Sequence, residues 1–296
     1  MPHPVIFDRP LLRARRARAA ALGPATFLIE RAADDLAGRL SAVLRKFDRA
    51  VDLGTPSGAV RRALADRVGA IIAVDPVAAH VAGERLAVVA DEEMLPFRDG
   101  SLDLVVSALA LQFVNDLPGT LVQIRRALKP DGLFLAAMIG GDSLTELRSA
   151  FAEAEAEVEG GVSPRVAPFA DLRDLGALLQ RAGFALPVTD VDRVTVRYAS
   201  PLALMHDLRR MGAGNALSER RRAPLRRATL RRALDIYAAR FADADGRIRA
   251  TFEIVWLSGW APHQSQQQPL APGSAKTRLA DALRTREISA GEKAGG

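Results

Sequence analysis

A chain of 296 residues, 49% hydrophobic and 26% charged, can bury a sizeable core, so a largely disordered polypeptide is excluded. No apolar run approaches the roughly 18 residues that a bilayer span requires, although peripheral membrane association stays open, and zero cysteines remove disulfides, thiolate metal sites and cysteine nucleophiles together. Lys+Arg 41 against Asp+Glu 35 leaves a net charge of +6, a mild lean towards acidic partners, and four scattered histidines give no reason to expect a metal site.

Residues 1–28 read as an arginine-rich N-terminal segment, in which Arg9, Arg13, Arg15, Arg16 and Arg18 face only Asp8. An acid-poor stretch with Leu11, Leu12 and Leu22 on one side also has the pattern of a transit peptide, which would place the protein in the mitochondrial matrix. With no secretory apolar region, the default expectation is cytoplasmic. From 29 to 47, Ile29, Leu36, Leu40, Val43, Leu44 and Phe47 recur at helical spacing.

Apolar runs at 50–53, 70–74, 88–90, 102–107 and 133–139 read as buried strands, with helices from Gly58 and over about 116–128 between them. That alternation predicts an α/β fold with a mostly parallel, doubly wound sheet. Lys129-Pro130-Asp131-Gly132 reads as a turn. Ser143 and Glu146 have capping-box spacing at the start of a helix running to about Val158. A loop at 163–169, a helix at 171–182 closed by Gly183, and a strand region at 188–198 follow. Two arginine-rich helices, about 201–211 and 218–241, precede a strand at 248–260. Helices inserted between two such strands predict an antiparallel pair at the sheet's end, with a helical insertion of about 199–245 inside a domain spanning 29–262. From His263 the chain is rich in Gln, Pro, Gly and Ala, which predicts a flexible tail over 263–296 with one marginal helix at 275–285.

The chemistry gathers at the carboxyl ends of the first three strands, where open α/β sheets bind ligands. Asp52-Leu53-Gly54-Thr55-Pro56-Ser57-Gly58 follows the first, Asp75 ends the second, and Asp91 stands just past the third. Gly54 and Gly58 allow close backbone approach, Asp75 is spaced to accept two ribose hydroxyls, and Asp91 to accept from an exocyclic amine. A dinucleotide is disfavoured: G-x-G-x-x-G is absent, and Asp52 would repel a pyrophosphate. A carboxylate there suits a ligand with a positive amino group, so the set describes S-adenosylmethionine.

Over about residues 30–140 the sequence resembles class I S-adenosylmethionine-dependent methyltransferases. Val51–Gly58 matches their glycine-rich first motif, Ile72–Asp75 the acidic end of the second strand, and Asp91-Glu92-Glu93-Met94-Leu95-Pro96-Phe97 with Ser101-Leu102-Asp103-Leu104-Val105 the later pattern. The resemblance implies a seven-stranded Rossmann-like sheet of order 3-2-1-4-5-7-6, with Asp52, Gly54, Thr55, Gly58, Asp75, Asp91 and Glu92 around the cofactor. Pro56 stands where the family has its middle glycine.

A narrower resemblance covers nearly the whole chain. Phe7-Asp8-Arg9, Leu11-Leu12-Arg13, Arg15-Arg16, Gly161-Val162-Ser163-Pro164-Arg165-Val166-Ala167-Pro168-Phe169, Leu208-Arg209, Met211-Gly212, Asn215, Thr251-Phe252-Glu253 and Gly259-Trp260-Ala261-Pro262-His263 are similar to the methyltransferase-like arginine hydroxylase family of respiratory complex I assembly. That resemblance implies modification of an arginine on the complex I iron–sulfur subunit. Hydroxylation rests on the resemblance alone, because the four histidines show no two-histidine, one-carboxylate spacing.

No catalytic residue is assigned. Arg13, Arg16, Arg165 and Arg209 are candidates to bind acidic groups of a protein substrate, and Asn215 and Glu253 to orient a guanidinium. Trp256 and Trp260 are expected on one strand face, in the core. The arginines of 205–240 spread over more than one helix face with few aromatics between them, which disfavours nucleic acid and favours a lid or a protein contact. Two alternatives stand beside the enzyme reading. One is a non-catalytic complex I assembly factor that retains the fold, for which Pro56 is the observation; the other is a small-molecule or carrier-protein O-methyltransferase.

Overall fold

The apolar runs that lead to Asp52 and Ser107 are buried because they form the middle of one sheet, and the run that leads to Asp75 is buried at its carboxyl end beside them. In the computed structural model, residues 5–267, 274 and 277–286 are described. In chain order the elements are α1 (Arg9–Ala21), α2 (Phe27–Ser41), β1 (Phe47–Leu53), α3 (Ala59–Leu64), β2 (Val68–Val74), α4 (Ala78–Val81), β3 (Ala87–Val88) and β4 (Leu102–Ala108). A 3-10 turn (Leu111–Phe113) then leads to α5 (Leu117–Ala127), β5 (Leu128–Ile139), α6 (Thr145–Glu159), α7 (Leu172–Arg181), β6 (Ala185–Tyr198), α8 (Pro201–Arg210), α9 (Arg227–Phe241), β7 (Ile248–Trp260) and α10 (Leu279–Ala282).

The seven strands lie in the order β3-β2-β1-β4-β5-β7-β6, and only β7 runs against its two neighbours. This is the α/β architecture and the antiparallel end pair expected from the sequence. Alternate residues feed two cores, as the two-residue period of a strand requires. Leu104, Ile254 and Trp256 pack with α2, α3, α6, α8 and α9 on one face; Val105, Val255 and Leu257 pack with α5 and α7 on the other. Trp256 is fully buried beneath the Arg39 guanidinium, 4.5 Å from the ring centroid. Trp260 packs against the same face at its margin, with Arg45 6.0 Å above it.

Four local expectations are corrected. The helix predicted to Phe47 stops at Ser41: Leu44 is fully exposed, and Phe47 is buried as the first residue of β1, paired with Val68. The turn at 129–132 is an irregularity within β5, where the register steps from Leu102↔Leu128 to Leu104↔Leu133 and Asp131 takes φ +65°. Ser143 and Glu146 form no capping box. Ser143 instead bonds the backbone of Glu253, and Glu146 accepts from the Thr251 N–H and hydroxyl, so β7 takes the side chains that helix-start spacing assigned to α6. The second arginine-rich helix starts at Arg227, and Arg220, Arg221, Arg232 and Arg240 pair with Asp8, Glu159, Glu157 and Glu153.

Two units emerge from the chain, Met1–Pro262 and His263–Gly296. The N-terminal segment lies inside the first. Phe7 and Leu12 form a small core with Phe113, Ala216 and Leu217, and the Asp8 N–H donates to the Ala216 carbonyl at 2.8 Å. The segment and the helical insertion are therefore stitched together. In the second unit the single turn α10 falls within the predicted 275–285, of which Ala275 and Lys276 lie outside the described residues, as does much of the predicted tail.

Candidate functional site

Chain reversal after β1 requires Gly54. It takes φ +71°, and a Cβ there would stand 2.8 Å from Glu92 Oε1 and 2.9 Å from the Ala110 Cβ. Its N–H donates to the Val74 carbonyl, the buried Thr55 hydroxyl accepts from the Ala108 N–H at 3.1 Å, and Ser107 Oγ donates to the Leu53 carbonyl at 2.7 Å. The loop is thereby tied to β2 on one side and β4 on the other. Gly58, with φ −77°, takes a backbone conformation open to any residue.

The four candidate acids divide by their partners. Asp52 is 0% exposed; its Oδ2 accepts from Arg61 Nη1 at 2.5 Å and its Oδ1 has no partner among the described residues. Burial pushes its pKa up to about 7, against the opposing pull of Arg61. Asp75 is 1% exposed: Oδ1 accepts from the Val77 N–H at 2.7 Å and lies 3.1 Å from His80 Nδ1, while Oδ2 has no partner among the described residues.

Asp91 and Glu92 are held by α1. Asp91 Oδ1 accepts from Arg9 at 2.7 Å and from the Glu93 N–H at 3.0 Å, and Oδ2 from Arg13. Glu92, 0% exposed, accepts from Arg9 on one oxygen and from Arg16 at 3.3 Å on the other. Burial pushes the Asp91 pKa up, but the Glu93 N–H, Arg9 and Arg13 outweigh it and hold the carboxyl below its ordinary value. Burial likewise opposes the charge on Arg9, and Glu92 and Asp91 outweigh it, leaving that guanidinium above its ordinary value.

Beside this edge lies a cavity of about 550 Å³. Pro56 of the loop lines it, so the two places share a wall. The body is apolar, with Leu109, Phe113, Leu144, Phe151 and Phe252 among its walls, and Arg15, Arg16, Arg18, Arg165 and Arg209 also line it. Among the described residues no aspartate or glutamate does. Four of the six substrate candidates are brought together here: Arg16, Arg165, Arg209 and Asn215. Arg165 is already bound by Glu155 and lies 5.9 Å over the Phe151 ring. Asn215 donates to the Pro164 carbonyl at 2.7 Å and accepts from the Leu217 N–H at 3.1 Å.

Arg13 and Glu253 do not line the cavity. Arg13 serves Asp91, and Glu253 accepts from the Asp142 N–H at 3.4 Å and from Arg193 at 3.4 Å, which fixes the loop before α6. Sequence reasoning missed Gln112, a cavity residue and the one polar side chain in the run 108–114. It also left Arg15 and Arg18 out of the site. Among the described residues, no group of three or more His, Asp or Glu side chains is placed to hold a metal ion.

The glycine loop and the oxygen of Asp75 that has no partner among the described residues fit an adenosine-containing cofactor: a buried carboxylate oxygen left without a donor is costly, and ribose hydroxyls are the donors that strand-end position receives. Comparison with known proteins agrees with that chemistry. A family model described as a methyltransferase domain matches residues 51–136. The mitochondrial arginine-hydroxylase NDUFAF5 of Mus musculus is 40% identical over 299 residues, which is 97% of this chain and 87% of that protein. The malonyl-[acyl-carrier protein] O-methyltransferase of Halorhodospira halophila is 36% identical over 258 residues, 83% of this chain and 85% of that one. Among solved structures, the YcgJ protein of Bacillus subtilis superposes with a TM-score of 0.54 at 16% identity, over 77% of this chain and 98% of that chain, a likeness of fold.

Proposed function

Because this chain belongs to the methyltransferase-fold family that includes the arginine-hydroxylase NDUFAF5, we propose that it binds S-adenosylmethionine and modifies an arginine of a respiratory complex I subunit during assembly. The observation that carries the cofactor half is the buried, unpartnered Oδ2 of Asp75 beside a loop that only glycine can turn at Gly54. The complex I half comes from the relatives and from the sequence motifs shared along the whole chain.

In this reading Asp75 accepts the ribose hydroxyls, and Gly54 and Thr55 hold the loop against β4. Arg9, Arg13 and Arg16 fix Asp91 and Glu92, the second of which stands against Gly54. Bound there, the cofactor supplies an electrophilic methyl group on a sulfonium. The protein's own part is positioning: the cavity shares Pro56 with the loop, so an acceptor side chain held there meets the cofactor with little motion to lose. A second reading, O-methylation of a carrier-bound carboxylate, is supported by the five arginines around the cavity and by the lack of acids there among the described residues.

Calorimetric titration with S-adenosylmethionine tests the cofactor. Micromolar binding is expected, weakened about 10- to 100-fold in Asp75→Ala, the worth of hydrogen bonds to a charged group. Absence of binding to the unmutated protein would overturn the enzyme reading in favour of a non-catalytic assembly factor. Mass spectra of complex I subunits from cells with and without the chain then test the target. A gain of one methyl or one oxygen on an arginine is expected, and subunits of identical mass would overturn the arginine target.

A further inference from the structure

Gln112 carries a buried polar atom that no described residue uses. The residue is 9% exposed and lines the cavity; its Nε2 donates to the Leu109 carbonyl at 2.7 Å, while Oε1 has no partner among the described residues. The backbone sets this orientation, since exchanging N and O would press the amide oxygen against the Leu109 carbonyl. A dry acceptor is costly, and an apolar side chain of the same length would fill the space without that cost.

Its location narrows what the oxygen is for. Residues 109–112 leave the carboxyl end of β4, and Leu109 holds φ +53°, a left-handed conformation that is strained for a branched side chain. The neighbouring Ala108 N–H bonds Thr55 of the glycine loop, the Ala110 Cβ abuts Gly54, and Pro56 lines the same cavity. Gln112 therefore stands in the segment that touches the cofactor loop. Securing the strained Leu109 accounts for the amide N–H and leaves the bare oxygen unexplained. The other uncharged polar side chains of the cavity wall, Ser143 and Asn215, already have partners.

We propose that Gln112 is a substrate-contacting residue whose carboxamide oxygen accepts a hydrogen bond from the N–H or O–H head of a group that enters the cavity on an apolar stem. An arginine side chain is of this class, and an ionised carboxylate, which has no proton to donate, is not. The inference rests on the reading of the cavity as the substrate site and deepens it by naming the chemistry the site selects.

Titration of octanamide and of methyl octanoate, which has a similar stem and no donor, into the full chain tests it directly. The unmutated protein is expected to bind the amide about tenfold more tightly than the ester, the discrimination a single buried hydrogen bond supports. Gln112→Met, of similar length, is expected to bind both alike while melting within a few degrees of the parent. Equal binding by the unmutated protein, binding of neither compound, or an amide preference retained in Gln112→Met would each overturn the proposal. The comparison of the two ligands needs no variant, so misfolding of the variant leaves the test standing. S-adenosylmethionine titrated into the same samples separates the two readings. An amide preference without cofactor binding sinks the cofactor reading alone, and cofactor binding without an amide preference sinks this one alone.

Discussion

Asp52 and Asp75 sit at the ends of β1 and β2 with one oxygen each left unpartnered among the described residues, whereas the oxygens of Asp91 and Glu92 are all bonded by Arg9, Arg13, Arg16 and the Glu93 N–H. The four carboxylates lie along one edge and differ in what packs over them. The first pair takes its partners from α3 and the segment after β2, Arg61 for Asp52 and the Val77 N–H for Asp75; the second takes them from α1, a helix whose buried face carries Arg9 and Arg16. An acid at a strand end is thus open to a ligand only where no other part of the chain has already satisfied it.

The sharpest way to break that contrast is to unload the second pair. Glu92→Ala leaves Arg9 and Arg16 buried and half-compensated, and losing one member of a buried ion pair costs about 3–5 kcal/mol. At roughly 2–4 °C per kcal/mol, the melting temperature is expected to drop on the order of 10 °C, with a matching fall in the urea midpoint. A variant as stable as the parent would show that α1 is not clamped there.

The first pair is sharpened through pH. Burial raises the Asp52 pKa from its ordinary 3.8 to about 7, so in the folded chain it keeps a proton that the unfolded chain has released. Its contribution to stability is full below about pH 4 and is lost as pH rises through about 7. Asp52→Asn removes the titration, and its melting temperature relative to the parent is expected to climb between pH 4 and pH 8. A difference that stays flat would mean that Arg61 keeps Asp52 ionised throughout.

The smallest effect is expected at the rim of the clamp. The Arg13 side chain is 42% exposed, and Asp91 keeps Arg9 and the Glu93 N–H without it. Arg13→Gln should therefore cost no more than about 1 kcal/mol, as exposed pairs do. A loss as large as that of Glu92→Ala would make Arg13 part of the buried lock.

Much of the fold was legible in the residues because strand and helix periodicities are local. The runs at 102–107 and 133–139 and the polar–apolar alternation of 188–198 and 248–260 placed four strands and their antiparallel end pair. The glycine loop and Asp75 were legible for a related reason: a backbone that must turn at Gly54 and an acid at a strand end are fixed by their immediate neighbours. Where local signals failed, a distant partner had intervened. Ser143 and Glu146 have helix-start spacing, yet residues 251–253 of β7 claim both. Leu44 continues a helical pattern, but no packed surface lies above it. Gln112 gave only the faint signal of one amide in an apolar run.

By itself, then, the sequence determined the class of sheet, its buried strands and the glycine loop after the first of them, since each depends on residues within a few positions of one another, while the order of the strands within the sheet was implied by the resemblance to class I methyltransferases. Tertiary structure decided which carboxylates keep an oxygen without a partner among the described residues, that the arginine-rich N-terminus closes over Asp91 and Glu92, and that Gln112, with one such oxygen, lines a cavity. The contacts behind the clamp join residues 76 to 83 positions apart. Whether a polar atom is satisfied is a property of the assembled site, settled only when those distant residues are brought together and water is excluded.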